Sequence, residues 1–138
     1  VLQDYPVPTV FNQQHAEGMA SSIRAGINSA LEHFHGMGYA LFLVCDQPFI
    51  TSDLLQQLLE QRYQTEHIIV ASAYSDTIGV PAVFHKHYFP DLLSLKGDTG
   101  ARKIMQQYAA SVVAVPFPMG YLDIDTAEDY ELMKQKSK

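Results

Sequence analysis

The sequence contains few of the residues that form disulfide frameworks or bind bare nucleic acid. Cys45 is its single cysteine, and 9 lysines and arginines are outnumbered by 15 aspartates and glutamates. One cysteine cannot form an internal disulfide, which is typical of a protein from a reducing compartment. Binding to a phosphate backbone requires clustered lysine and arginine. A net charge of −6 without such a cluster argues against that role.

Long hydrophobic runs are also missing. The apolar stretches are only as long as a strand, far short of the roughly 20 residues of a membrane-spanning helix, and no segment has the basic start and apolar middle of a signal peptide. We therefore expect a cytoplasmic protein that contacts neither a membrane nor nucleic acid. The chain begins at Val1 rather than at methionine, which suggests a fragment of a longer protein.

The sequence does have enough apolar residues for one hydrophobic core. Its 138 residues are 47% hydrophobic, and no repeat, low-complexity tract or linker divides them, so we predict one domain over residues 1–138. Hydrophobic periodicity predicts strands at Val7–Phe11, Tyr39–Cys45, His67–Ala73, Val80–Phe84 and Ser111–Val115. It predicts helices at Met19–Phe34 and Ser52–Tyr63, around His87–Leu95, from Asp98 or Thr99 to Tyr108, and from Thr126.

This alternation of strands and helices predicts an open α/β sheet with helices on both faces. In such sheets the ligand lies beyond the carboxyl ends of the strands. Asp46 follows the apolar run of residues 39–45 directly, and Pro48 then ends the strand. The Asp46 carboxylate therefore suits a magnesium ion. A turn-capping aspartate and the phosphoacceptor of a signalling receiver are the alternatives, although a receiver needs an earlier acidic pair and only Asp4 and Glu17 precede.

Two further patterns are typical of binding sites. Asp123 and Asp125 lie two residues apart just before the last predicted helix, and we expect only one of them to meet Asp46. Capping of that helix is the alternative role for the acidic residues. Small or polar residues at two helix starts could hold an anion or a base edge, or could simply cap their helices. They are Gly18, Ser21 and Ser22 at the first start, and Asp98, Gly100 and Arg102 at the second.

Five segments, taken in order, resemble the MobA-like nucleotidyltransferases, a family that includes molybdenum cofactor cytidylyltransferases and guanylyltransferases. The resemblance covers Glu17 to Asp129, and its segments are EGMASSIRAG, LVCDQPFIT, GVPAVF, LKGDTGAR and LDIDTAED. It implies a three-layer α/β/α sandwich with a mostly parallel sheet, Rossmann-like and related to nucleotide-sugar pyrophosphorylases. It also implies transfer of a nucleotide from a nucleoside triphosphate, with CTP favoured, to a phosphorylated acceptor such as molybdopterin, with release of pyrophosphate.

The resemblance also implies roles for individual residues. Asp46 is the catalytic and nucleotide-binding residue and a Mg²⁺ ligand, with Asp123 and Asp125 as further metal ligands. Ser22, with Gly18 and Ser21 beside it, contacts the nucleotide. The residues on the acceptor side are Gly79, Pro81, Asp98, Gly100 and Arg102.

The chain departs from the family pattern in two places. The family's glycine-rich L-A-A-G-x-S-x-R-M-G loop is not in these 138 residues, which resemble the C-terminal two-thirds of the domain, without its first strand, loop and helix. We therefore expect residues 1–138 alone to bind nucleotide weakly and to transfer little. Val80 also stands where the cytidylyltransferases tend to have histidine in G-H-P. A non-catalytic nucleotide-binding or interaction module and a sugar-phosphate nucleotidyltransferase remain the alternatives. The sequence does not indicate an oligomeric state.

Overall fold

The computed structural model describes residues 5–64 and 66–136. Short 3₁₀ turns lie at His15–Glu17, Lys86–Tyr88 and Ala109–Ser111. The strands are β1 (Tyr39–Phe42), β2 (Ile69–Tyr74), β3 (Thr77–His85) and β4 (Val112–Pro116). The helices are α1 (Met19–His33), α2 (Ser52–Gln61), α3 (Phe89–Ser94), α4 (Arg102–Gln107) and α5 (Ala127–Lys136).

The strands form one sheet in the order β1-β3-β2-β4. β3 is antiparallel to both of its neighbours, whereas β2 and β4 are parallel. Three of the four strands therefore run in the same direction, which confirms the mostly parallel sheet. β3 runs the other way because Ser75 and Asp76, with φ of 49° and 59°, close a two-residue hairpin after β2. Positive φ at both central positions matches the right-handed twist of the flanking strands.

Both faces of the sheet are covered, which confirms the three-layer sandwich. Alternate residues of β2 point to opposite faces, so Ile69 and Ala71 pack with α1, α3 and α4, while Val70 packs with α2. Phe84 and Val83 divide in the same way on β3. Within the described residues, no helix is long and apolar enough to cross a membrane.

Two predicted strands differ from the structure. The predicted strand Val7–Phe11 does not form, and this exposed segment pairs with no strand in the described part of the chain. β1 ends at Phe42 rather than Cys45, leaving Leu43 and Val44 exposed. Phe42 pairs with Ala82, and the next residue of β3 is Pro81, which has no N–H to extend a ladder.

The sequence predicts the start of α5 correctly but places the start of α4 too early. α4 begins at Arg102, later than the predicted start at Asp98 or Thr99, and no side chain in residues 5–64 or 66–136 caps it. The preceding loop turns at Gly97, whose φ of 63° is left-handed, and contacts α1 instead. The start of α5 confirms the predicted capping box, because the side chain of Asp129 accepts from the amide of Thr126 at 2.9 Å and the Thr126 hydroxyl accepts from the amide of Asp129 at 3.1 Å.

Candidate active site

Asp46 and the segment from Asp123 to Asp125 lie together beyond the end of β1. The carbonyl of Asp46 accepts from the amide of Ile124 at 2.8 Å, which joins the two segments. Loss of hydration and then the negative charges of Asp46 and Asp125 raise the pKa of the Asp123 carboxyl. Neither Asp46 nor Asp123 forms an ion pair with any residue that the structure describes. The result is a patch of uncompensated negative charge.

Asp46 has an unusual local environment. Its Oδ1 atom is buried and accepts no hydrogen bond from the described residues. A buried polar atom is normally paired, because leaving it unpaired costs about 1–3 kcal/mol. The neighbouring Gln47 is also buried; its Nε2 donates to the carbonyl of Gly120 at 3.0 Å, and its Oε1 is unpaired. Sequence reasoning assigned no role to Gln47, which fastens the Asp46 loop to the loop before Asp123.

This arrangement fits a divalent cation with oxygen ligands. Mg²⁺ is usually bound through one or two carboxylates, with phosphate oxygens and water completing the shell. Asp46 and Asp123 provide two such carboxylates, and the unpaired Oδ1 is an acceptor in need of a partner. In the described part of the chain, no group of three or more histidine, cysteine, aspartate or glutamate side chains is arranged to hold a metal ion. Water and the phosphate oxygens of a ligand would therefore supply the other contacts.

A cavity of about 540 Å³ lies between α1, the end of β1, β3 and the start of α4. Leu43 and Val44, which lead from β1 towards Asp46, line it, whereas Asp46 and Asp123 do not. Four of the predicted binding residues line it: Ser22, Gly79, Gly100 and Arg102. Sequence reasoning did not assign a role to Tyr74 or Met19, which also line it. Pro81 is fully buried, and its carbonyl accepts from the Ser72 hydroxyl at 2.7 Å. Pro81 thus shapes the wall behind Gly79.

The start of α1 is occupied by contacts within the protein. The amide of Ala20 donates to the carbonyl of Gly97 at 3.1 Å, and the amide of Met19 donates to Oδ1 of Asp98 at 3.5 Å. At Gly18, a Cβ atom would lie 2.7 Å from that same Gly97 oxygen. The structure thus places Gly18 and Asp98 at a tight junction between α1 and the loop before α4.

The two serines predicted to contact the nucleotide have different surroundings. Ser21 is 2% exposed; its hydroxyl donates to the carbonyl of Gly18 at 2.8 Å and accepts from Asn12 Nδ2 at 2.8 Å. Ser22 is exposed, accepts from the same Asn12 nitrogen at 3.0 Å, and lines the cavity. Of the two, Ser22 is the one that a ligand in the cavity can reach.

Arg24 and Glu17 fasten the same junction from the other side. Arg24 pairs with Glu17 and donates to the carbonyl of Leu95 at 2.7 Å. Glu17 also accepts from the amide of Gly97 at 3.1 Å. These contacts hold Arg24 in place within the protein. The Arg24 guanidinium, followed by the Gly97 amide, lowers the pKa of Glu17 from 4.5 to about 2.

Glu17→Gln should make the free energy of unfolding depend less on pH in the acid range. Because the folded-state pKa of Glu17 is lowered to about 2 from 4.5, its contribution is present above the unfolded pKa and is lost as pH falls through this window. We expect the free energy of unfolding, measured by urea titration at a series of pH values, to fall less steeply there in Glu17→Gln than in wild type. Glu60→Gln, whose exposed side chain contacts Gln56, is the control. Equal slopes in wild type and Glu17→Gln would contradict the assigned contact.

The fold and the site define a Rossmann-like α/β domain whose carboxylates lie beyond a strand end. The family model of the MobA-like NTP transferase domain matches residues 1–112, and the chain belongs to that family.

Relatives and solved structures agree with this assignment. The chain is 29% identical over 126 residues to the purine catabolism protein PucB of Bacillus subtilis strain 168, covering 89% of this chain and 59% of PucB. The structure of Rv0371c from Mycobacterium tuberculosis H37Rv in complex with manganese has a TM-score of 0.61 and 28% identity, over 83% of this chain and 59% of that one. Molybdopterin-guanine dinucleotide biosynthesis protein A from Archaeoglobus fulgidus has the same fold, with a TM-score of 0.66 and 19% identity over 97% of this chain and 70% of that one.

Proposed function

We propose that the domain transfers a nucleotide from a nucleoside triphosphate to a phosphorylated acceptor and releases pyrophosphate. A phosphate oxygen of the acceptor attacks the α-phosphorus, the bond from that phosphorus to the bridging oxygen breaks, and pyrophosphate leaves. Such transfers depend on positioning and on charge stabilisation rather than on a protein nucleophile. The observation that carries this proposal is the unpaired, buried Oδ1 of Asp46 beside the Asp123 carboxyl.

In this proposal Asp46 and Asp123 would hold Mg²⁺, with Asp125 as a further ligand. When bound, the ion would offset negative charge on the phosphate oxygens. The manganese complex of Rv0371c supports the use of a divalent metal by a related protein. Asp46 is the catalytic residue because it would hold the Mg²⁺ ion that contacts the reacting phosphates.

The cavity then divides between the nucleotide and the acceptor. Ser22 contacts the nucleotide base, while Gly18 and Ser21 hold the start of α1 in place around it. On the acceptor side, Gly79, Gly100 and Arg102 line the cavity. Pro81 and Asp98 support that side from behind through their contacts with Ser72 and Met19. We favour CTP as donor and a molybdopterin as acceptor on the family resemblance, in a cytoplasmic protein.

Nucleotide titrations test this proposal. Calorimetry of the 138-residue chain with CTP, GTP and ATP, each with and without Mg²⁺ or Mn²⁺, should show binding that requires the metal and is weak, with CTP strongest. Asp123→Asn should weaken the metal-dependent binding by about tenfold or more, as loss of a metal contact does. Asp125→Asn should weaken it less, because in this proposal Asp125 only supplements the pair of Asp46 and Asp123. Binding of equal strength without metal would contradict the proposal.

A pyrophosphate-release assay separates the transferase from its alternatives. We expect little release from residues 1–138 alone, and metal-dependent release when the domain also carries the glycine-rich loop of the family. Metal-dependent nucleotide binding without release in that longer form would instead indicate a non-catalytic binding module. Release with a sugar phosphate but not with a molybdopterin would indicate a sugar-phosphate nucleotidyltransferase.

A further inference from the structure

A tyrosine and an arginine converge on one corner of the cavity, directly over Gly79. A Cβ atom at Gly79 would lie 2.3 Å from the Tyr74 hydroxyl oxygen and 3.3 Å from Nη2 of Arg102. The two groups therefore occupy the space that any side chain at position 79 would fill. Tyr74 ends β2, Gly79 lies across the hairpin on β3, and Arg102 begins α4.

Both groups lack partners among the residues that the structure describes. Neither the Tyr74 hydroxyl nor the Arg102 guanidinium forms a hydrogen bond or an ion pair with the residues that the structure describes. Other tyrosine hydroxyls of the chain are bonded: that of Tyr88 donates to the carbonyl of His67 at 2.7 Å, and that of Tyr108 to Asp91 at 2.9 Å. Two unpaired donors that point into one cavity make a suitable contact for an anion.

The Tyr74 ring is held in this position by its surroundings. Phe117 packs against it edge to face, with ring centroids 6.2 Å apart. A Cβ atom at Gly120 would lie 2.5 Å from the Tyr74 ring, so the backbone there closes on the ring. The carbonyl of Gly120 also accepts the hydrogen bond from Gln47. The tyrosine is therefore preorganised and connected to the loop that carries Asp46.

The remaining walls of the cavity are mainly apolar. They are formed by Met19, Ile23, Phe42, Leu43, Val44, Val80 and Met105. Val80 replaces the histidine of the G-H-P pattern, which makes this chain's wall beside Gly79 more apolar still. A ligand that fits has an apolar organic body and an anionic group at the end that faces Tyr74.

We propose that the Tyr74 hydroxyl acts with Arg102 to bind the phosphate of the acceptor, and that the apolar walls bind the acceptor's organic part. Tyr74 is then a specificity-determining residue for acceptors that carry a phosphate on an apolar body. This inference rests on the proposed function, since it identifies the acceptor by its chemistry.

Phenyl phosphate is the probe for this site. Titrated into the 138-residue chain without metal or nucleotide and followed by amide chemical shifts, it should perturb Gly79, Val80 and Arg102, and it should bind more tightly than inorganic phosphate. Tyr74→Phe should weaken binding by about tenfold, the effect of losing one hydrogen bond to a charged group. Arg102→Met should weaken it further. The matched controls Tyr5→Phe and Lys103→Met, both at exposed positions, should bind as wild type does.

Gly79→Ala provides a second variant, with its melting temperature measured to establish folding. Its methyl group would occupy the position of the Tyr74 hydroxyl, so the loss of affinity should match that of Tyr74→Phe, and the double variant should lose no more than either. Wild-type affinity in Tyr74→Phe, or losses that add in the double variant, would overturn the inference.

Phenyl phosphate titration and the Asp46→Asn variant together distinguish this inference from the proposed function. If phenyl phosphate does not bind while nucleotide still binds with metal, the acceptor contact is wrong and the proposed function stands. If phenyl phosphate binds as expected while Asp46→Asn leaves metal-dependent nucleotide binding unchanged, the proposed metal site is wrong and the anion contact stands.

Discussion

Asp46→Asn is expected to stabilise the metal-free chain and to abolish its stabilisation by Mg²⁺. The buried Oδ1 of Asp46 has no hydrogen-bond partner among the described residues, and its charge faces that of Asp123. Asparagine keeps the shape of the side chain but removes the charge, so the free energy of unfolding should rise by about 1 kcal/mol, because an unpaired buried group costs more when it is charged. In a transfer-competent form of the protein, the same change should reduce turnover by about 10²-fold or more, since one charge-stabilising contact is typically worth that much.

Urea unfolding with and without Mg²⁺ and nucleotide measures the first effect, and pyrophosphate release measures the second. Asp129→Asn is the matched control, because Asp129 is a true helix cap whose carboxylate accepts from the amide of Thr126 at 2.9 Å. Its substitution should lower stability without changing the response to Mg²⁺. If Asp46→Asn behaves in the same way as Asp129→Asn, Asp46 is a capping residue and the metal assignment is wrong.

The sequence predicts best those features that depend on neighbouring residues in the chain. The apolar runs that become β1 and β2 identify the sheet, and the Thr126 and Asp129 pair identifies the start of α5. The direction of β3 depends instead on two positive φ angles at Ser75 and Asp76. A Ser-Asp pair carries little hairpin signal compared with Asn-Gly, so the strand at Val80–Phe84 was predicted but its antiparallel direction was not.

In the candidate site, too, the sequence predicts what depends on neighbouring residues and misses what depends on tertiary contacts. An acid directly after an apolar run predicts Asp46 near a strand end. The expectation that only one of Asp123 and Asp125 meets Asp46 has no support in their spacing, because residues two apart in an extended segment share a face. Tyr74 lies next to Gly79 because the hairpin pairs β2 with β3. Arg102 lies next to Gly79 because α4 packs against β3. No local pattern encodes such contacts, because each residue alone is compatible with an ordinary surface position.

Gly18→Ala is expected to be among the most destabilising small substitutions in the chain. Gly18 has φ of 119° and ψ of −170°, a region that is essentially restricted to glycine and costs other residues about 1–3 kcal/mol. An added Cβ would also lie 2.7 Å from the carbonyl oxygen of Gly97 and 2.8 Å from the amide nitrogen of Asp98. Both are backbone atoms and cannot rotate away. We expect a loss of about 3 kcal/mol in the free energy of unfolding from strain and overpacking together.

Gly26→Ala is the matched control on the same helix. Gly26 lies inside α1, and a Cβ there would meet no heavy atom within 4 Å. Alanine should therefore raise stability by about 0.5–1 kcal/mol, the usual gain over glycine in a helix interior. Urea unfolding of both variants separates the two roles of Gly18. If Gly18→Ala is as stable as wild type but loses metal-dependent nucleotide binding, the glycine serves the ligand directly. If stability falls as expected, its main role is to let the loop before α4 close on α1, which positions Gly100 and Arg102 at the cavity.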